Sequence, residues 1–131
     1  MKKEIKIPSK IESISVVENL IDELSIELGL VADIYGNVLI AVIEAVTNSI
    51  VHGNKFDEAK MVTISFQFNN PFLFIKICDE GTGFMFDSIP DPTKPDNVEK
   101  PDGRGVFLMK HLADEITFDK GGATVNLKFK V

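Results

Sequence analysis

Residues 61–83, MVTISFQFNNPFLFIKICDEGTG, decide how this chain folds. Val62, Ile64, Phe66 and Phe68 alternate with Thr63, Ser65 and Gln67. A period of two places the apolar set on one face of a strand and the polar set on the other. Asn69-Asn70-Pro71 has turn composition, and Phe72 to Cys78 is a second apolar run, so the pair reads as a β-hairpin. The hairpin ends in Asp79-Glu80-Gly81-Thr82-Gly83, where strand composition stops.

The segments around this hairpin extend the same architecture. Residues 4–7 alternate as a short strand that Pro8 stops. Ser9 with Glu12 has the spacing of a capping box, and Ile11, Ile14, Val17, Ile21, Leu24 and Leu28 form one helical face that Gly29 closes. Asp33 is placed to cap a second helix, which carries Val38, Ala41, Val42, Ala45, Val46, Ser49 and Ile50 and ends at Gly53. Its apolar surface is wide enough to predict burial on most sides. Residues 85–102 hold four of the six prolines, which excludes helix and predicts an exposed loop of the length that often serves as a lid. A helix is expected over Val106–Ala113. A final hairpin is expected from 115–118 and 123–130 around Lys120-Gly121-Gly122, with Ala123, Val125, Leu127 and Phe129 facing inward. The order β-α-α-β-β-loop-α-β-β predicts an α+β, two-layer sandwich. Its sheet is mixed and mostly antiparallel, with helices on one face.

Size and charge narrow the functions available. At 131 residues the chain is one domain, 1–131, with 44% apolar and 26% charged residues, which excludes wholesale disorder. A net charge of −6 argues against direct nucleic-acid binding. The single cysteine, Cys78, permits no internal disulfide and suits a reducing compartment. The N-terminus has no apolar segment of the signal-peptide kind, and Val38 to Val46, interrupted by Glu44, is too short to cross a bilayer. A soluble, cytoplasmic protein without a membrane role is the expectation.

Three short motifs carry chemistry. Glu44 and Asn48, four residues apart in the apolar helix, share one face. A carboxylate and an amide there either brace helix packing or offer a general base and a neutral oxygen for a hard cation such as magnesium. Asp79-x-Gly81-x-Gly83 after a strand is either a tight turn or an acceptor for a ligand amino group, with glycines that admit close approach. Gly103-Arg104-Gly105 before a helix is either loop punctuation or a phosphate cradle of free N–H groups with an added guanidinium. Their order raises the signal: six of nine glycines lie between 81 and 122, and a nucleotide needs one group of each kind. The P-loop and Rossmann signatures are both missing.

In this order the motifs resemble those of the GHKL ATPases, whose nucleotide fold is the Bergerat type. Residues 44–54, EAVTNSIVHGN, resemble the N box; residues 79–84, DEGTGF, the G1 box; and residues 103–110, GRGVFLMK, the G2 box. Residues 121–125, GGATV, resemble the closing segment. The likeness runs from about residue 9 onward and is greatest to the small stand-alone anti-sigma-factor serine kinases, similar to RsbW and SpoIIAB. That resemblance implies ATP and Mg2+ as cofactors, and phosphorylation of a serine on an STAS-type anti-anti-sigma partner. It further implies sequestration of a sigma factor and a homodimer. It implies Glu44 as the catalytic base, Asn48 as the magnesium ligand, Asp79 as the reader of adenine and Thr124 as its support. The same resemblance implies that Gly81, Gly83, Gly103 and Gly105 shape the pocket and lid, and Arg104 is placed to add a phosphate contact.

Two departures refine the likeness. Val51 stands where sensor histidine kinases place Lys or Arg, and there is no helix bearing a phosphoacceptor histidine, since His52 and His111 both lie within the ATPase-like region. Autophosphorylation on histidine is therefore disfavoured. Ala123 stands where the serine kinases often have Thr. The competing class is a non-enzymatic module that binds ATP or ADP and sequesters a regulatory protein; such a module has no need of a base at Glu44.

Overall fold

The computed structural model describes residues 1–81, 109–120 and 123–131. The strands are β1 (Lys2–Pro8), β2 (Met61–Asn69), β3 (Phe72–Cys78), β4 (Glu115–Asp119) and β5 (Thr124–Lys130). A 3-10 turn, Ile11–Ser13, leads into α1 (Ile14–Leu28), and α2 (Ala32–Asn48) continues without a break into a π-helical turn, Ser49–Gly53. Residues 109–112 are also helical, the end of the helix expected over Val106–Ala113. The loop 85–102, Gly83, Gly103, Arg104, Gly105 and the Gly121-Gly122 turn lie outside the described residues.

The strand order is β1-β2-β3-β5-β4, and each described pairing is antiparallel. The β2–β3 hairpin closes at Asn69↔Phe72, with Phe68↔Leu73, Phe66↔Ile75 and Ile64↔Ile77 opposite each other. This register puts Val62, Ile64, Phe66 and Phe68, the apolar set that alternation marked, on a single face with Leu73, Ile75 and Ile77 of β3. A slip of one residue would turn them all to solvent. Val125, Leu127 and Phe129 of β5 extend the same face.

The helices cover that face and no other. Val17, Ile21 and Leu24 of α1 and Val38, Ala41, Val42, Ala45, Val46 and Ile50 of the second helix are buried with the inward residues of the sheet in one core. Lys2, Glu4, Lys6, Gln67, Phe74 and Lys76 point from the opposite face to solvent. The second helix with its π turn spans 22 residues, Ala32–Gly53, at a mean hydropathy of 1.6, which by length and composition would suit a membrane span. Its buried stripe on the sheet accounts for that hydropathy: it is the central helix of the sandwich.

Three local expectations are corrected. Ser9 does not cap α1. Its hydroxyl donates to the Lys60 carbonyl at 2.6 Å, and the 3-10 turn intervenes before the helix starts. Ile11 consequently faces outward, at 47% exposure. The cap of α2 is Val31, not Asp33; Asp33 lies in the first turn, where its charge still complements the helix dipole. Gly29 does end α1 as expected, in the left-handed conformation. After Gly53 the chain is reversed by Lys55 and Phe56, both at positive φ.

Fully buried Phe66 and exposed Gln67 test the two faces directly. In urea denaturation, Phe66→Ala should cost about 3–5 kcal/mol. Gln67→Ala should stay within about 0.5 kcal/mol of the parent.

Candidate functional site

The end of the second helix meets the end of β3. Glu44 and Asn48 lie one turn apart on α2; Glu44 is half-buried, and Asn48 is only 8% exposed. The Asn48 Nδ2 atom is buried without a hydrogen-bond partner, the one such side-chain atom among the described residues. An unsatisfied buried amide N–H costs about 1–3 kcal/mol, a cost that a water or a ligand oxygen arriving there would remove. Rotation about the last side-chain bond can offer a ligand either end of the amide. Its oxygen is of the kind a hard cation accepts. Among the described residues no group of three His, Cys, Asp or Glu is placed to hold a metal unaided.

Beyond Asn48 the helix widens. The Asn54 N–H donates to the Ser49 carbonyl, five residues back, at 2.8 Å, the hydrogen bond of a π turn. This turn delivers two groups to Asp79. The Ser49 hydroxyl donates to the Asp79 carboxylate, and the Gly53 backbone presses against it. A Cβ on Gly53 would sit 2.4 Å from Asp79 Cγ and Oδ2. One on Gly81 would sit 2.1 Å from the Gly53 carbonyl oxygen. A side chain at Gly81 would require backbone movement, and one at Gly53 would displace the Asp79 carboxylate. Gly81 in turn donates its N–H to Asp79 Oδ1 at 2.8 Å. The carboxylate is therefore fixed on one side by glycine backbone, a hydroxyl and an N–H.

Burial pushes the Asp79 carboxyl above its usual range, and the Gly81 N–H and Ser49 hydroxyl pull partly against that shift. Thr124 is buried across the β3–β5 ladder, and its Oγ1 donates to Cys78 Sγ at 3.5 Å, one residue before Asp79. The Asp79 N–H donates to the Ala123 carbonyl at 2.9 Å. Around the G1-like turn, Asn54 Oδ1 accepts the Glu80 N–H at 2.8 Å. Asn54 Nδ2 donates to Ser9 Oγ at 2.8 Å and to the Met61 carbonyl at 3.1 Å.

The fold thus brings Asp79, Gly81, Ser49 and Gly53 into contact, on the helix that carries Glu44 and Asn48. Ser49, Asn54 and Ser9 were not legible as site residues. Ser49 had only the signal it shares with Thr47, a hydroxyl flanking Asn48. A separate concavity of ≈ 560 Å³ lies on the open face of the sheet, lined by Lys2, Glu4, Phe74, Lys76, Glu115 and Lys128 among others, away from these groups.

The raised Asp79 value has a sign for stability. The folded chain holds that proton more tightly than the unfolded chain, so stability falls as pH rises from the ordinary Asp range through the raised value. Above it the buried charge is a standing cost. Asp79→Asn keeps an acceptor for Gly81 and Ser49 without the charge. The ligand-free variant should melt at or above the parent temperature at pH 7, with the difference shrinking on acidification.

Comparison with known proteins places this geometry. The model of the histidine kinase-like ATPase domain matches residues 7–129. The serine-protein kinase RsbW of Bacillus mycoides (strain KBAB4) is 29% identical over 134 residues, covering 96% of this chain and 83% of that protein. RsbW of Oceanobacillus iheyensis is 28% identical over 119 residues, covering 86% and 75%. Among solved structures, the RsbU and RsbW domains of a Mycobacterium tuberculosis protein align with a TM-score of 0.70 at 16% identity. The histidine kinase domain of the Erythrobacter litoralis EL346 blue-light activated kinase gives 0.55 at 17%. These alignments cover 99% and 95% of this chain but 32% and 61% of the other two, and at such identities they establish the fold alone. A family match across nearly the whole chain, on a sandwich whose central helix and third strand converge on a clamped aspartate, makes this protein a member of the histidine kinase-like ATPase domain family.

Proposed function

We propose that this protein is a Mg-ATP-dependent serine kinase that phosphorylates an STAS-type anti-anti-sigma partner and acts as an anti-sigma factor, working as a cytoplasmic homodimer. The observation that carries the reading is the buried Asn48 amide, its Nδ2 without a partner, one turn from Glu44 on the helix that also builds the cradle of Asp79. The similarity to RsbW serine-protein kinases over most of the chain supports the reaction class.

Each described residue has a chemical task in this reading. Asp79 accepts the exocyclic amino group of adenine with the lone pairs that Gly81 and Ser49 leave open, since an ionised carboxylate has about four acceptor positions. Gly53 and Gly81 keep the carboxylate from rotating away. Thr124 supports the turn through Cys78 at the end of β3. The missing partner of Asn48 Nδ2, a donor, suits a phosphate oxygen, while its Oδ1 would be a neutral ligand of the kind magnesium takes beside phosphate oxygens and water. When bound, the metal neutralises charge on the phosphates during transfer. Glu44 accepts the proton of the incoming serine hydroxyl as its oxygen bonds to the γ-phosphorus and the bond to the bridging oxygen of ADP breaks. Gly83, Gly103, Arg104 and Gly105 take the phosphate-side and lid roles that the family resemblance implies. Glu44 is what separates this reading from a module that only binds nucleotide and sequesters a protein, because holding a nucleotide requires no proton acceptor.

Thermal melting with Mg-ATP is the direct test. Nucleotide at a hundred times its dissociation constant should stabilise the fold by about 2.7 kcal/mol, and no shift at millimolar Mg-ATP would overturn the reading. Glu44→Ala should keep the shift and lose transfer of labelled phosphate to an STAS-domain protein; wild-type transfer would remove the base role. Asn48→Ala should abolish the advantage of Mg-ATP over metal-free ATP. Because an ionised Asp79 accepts from an amine more strongly than a protonated one, ATP affinity should begin to fall at a higher pH than an ordinary carboxylate would give. Titration calorimetry across pH 4–7 reads this as a loss on the acid side, absent in Asp79→Asn, which binds weakly throughout.

A further inference from the structure

We infer that Asn54 is a positioning residue for recognition of the base: it wedges the ends of β2 and β3 apart and so sets the orientation from which Asp79 reads an exocyclic amine. The inference rests on the reading of Asp79 given above. Its starting point is the sheet register. Thr63 lies opposite Cys78, so two residues further on Met61 faces Glu80. An antiparallel ladder would join that pair directly, backbone to backbone. Here the side-chain amide of Asn54 occupies the rung. Its Oδ1 accepts the Glu80 N–H at 2.8 Å, and its Nδ2 donates to the Met61 carbonyl at 3.1 Å. The displaced Met61 N–H donates instead to the Glu80 side-chain carboxylate. A primary amide has the donor and acceptor of a peptide group, so it substitutes for one while holding the two chains further apart.

The wedge acts on Asp79 through the peptide that joins it to Glu80. The two peptide groups flanking the Asp79 Cα are held from opposite sides. The N-terminal one donates to the Ala123 carbonyl of the neighbouring chain segment at 2.9 Å, and the C-terminal one donates to Asn54. Together they fix both backbone angles of Asp79. Asn54 follows directly on Gly53, whose backbone abuts the Asp79 carboxylate, so the wedge and the wall belong to one turn of chain. The wedge is itself immobilised. Its second Nδ2 proton goes to Ser9 Oγ at 2.8 Å, and the Ser9 hydroxyl goes on to the Lys60 carbonyl at 2.6 Å. Asn54 is 2% exposed and Ser9 fully buried. A buried polar network with its donors satisfied is rigid, which is what a group that orients another must be.

Binding of ATP is to be compared with binding of purine riboside triphosphate, which lacks only the exocyclic amine, by titration calorimetry on the full chain. A hydrogen bond to an ionised carboxylate predicts a wild-type preference for ATP of about tenfold or more. Asn54→Ala should erase that preference while leaving affinity for the amine-free analogue unchanged. If Asn54→Ala weakens both ligands equally, the residue only braces the fold and the inference is overturned. Should that variant fail to fold, Ser9→Ala decides: a reduced preference supports the wedge, and an unchanged one overturns it. A wild-type protein that does not distinguish the two ligands would overturn the reading of Asp79 itself, and this inference with it.

Discussion

The Asp79 carboxylate lies against the bare backbone of Gly53, and much else in the structure follows from that contact. It joins the end of the central helix to the end of the third strand at a distance no side chain would permit. A carboxylate held there loses much of its hydration, which raises its pKa, and regains part of it from the Gly81 N–H and the Ser49 hydroxyl. The balance leaves a negative, directional acceptor with open lone pairs at the boundary of the two layers. Glycine at 53 and 81 is thus required by close approach rather than by turn geometry alone.

The apolar sandwich makes such a contact affordable. One face of five strands and two helices share a continuous core, from Ile7 at the start of the chain to Phe129 near its end. Phe66, Ile64, Ile75 and Ile77 sit under a helix whose buried stripe continues into the π turn as far as Ile50. Polar atoms placed beyond that stripe are held by a rigid support. That is why the unsatisfied amide of Asn48 can persist, and why the Ser9–Asn54 network can hold a peptide in place.

Periodicity made the layers legible. The alternation in residues 61–68, the helical face of Val17, Ile21 and Leu24, and the wide apolar surface of α2 all report burial, which sequence encodes residue by residue. The N-box-like and G1-like motifs pointed to Glu44, Asn48, Asp79 and Gly81 because those residue types recur in that order in a known family. Single polar side chains were harder to read. Ser9 has the composition and spacing of a helix cap, yet its hydroxyl bonds Lys60, 51 residues away. Asp33 failed as a cap for a different reason: the helix begins earlier, at Ala32, with Val31 in the extended conformation before it. Asn54 looked like the tail of a motif. Its partners, Glu80, Met61 and Ser9, become neighbours only once the sheet has formed, and no local pattern announces them.

The π turn at Ser49–Gly53 has a counting consequence. A π turn holds one residue more than the α-helical turn it replaces, so the second helix carries a surplus residue just where Asp79 is received. Trimming that surplus would restore ideal helical bonding, and would rotate everything after it by about 100° around the axis. Gly53 would then turn its backbone away from the carboxylate, and Asn54 would leave the gap between the strands. A single-residue deletion here is accordingly a change of aim rather than of length, and an irregular helix is the form in which this chain keeps its aim.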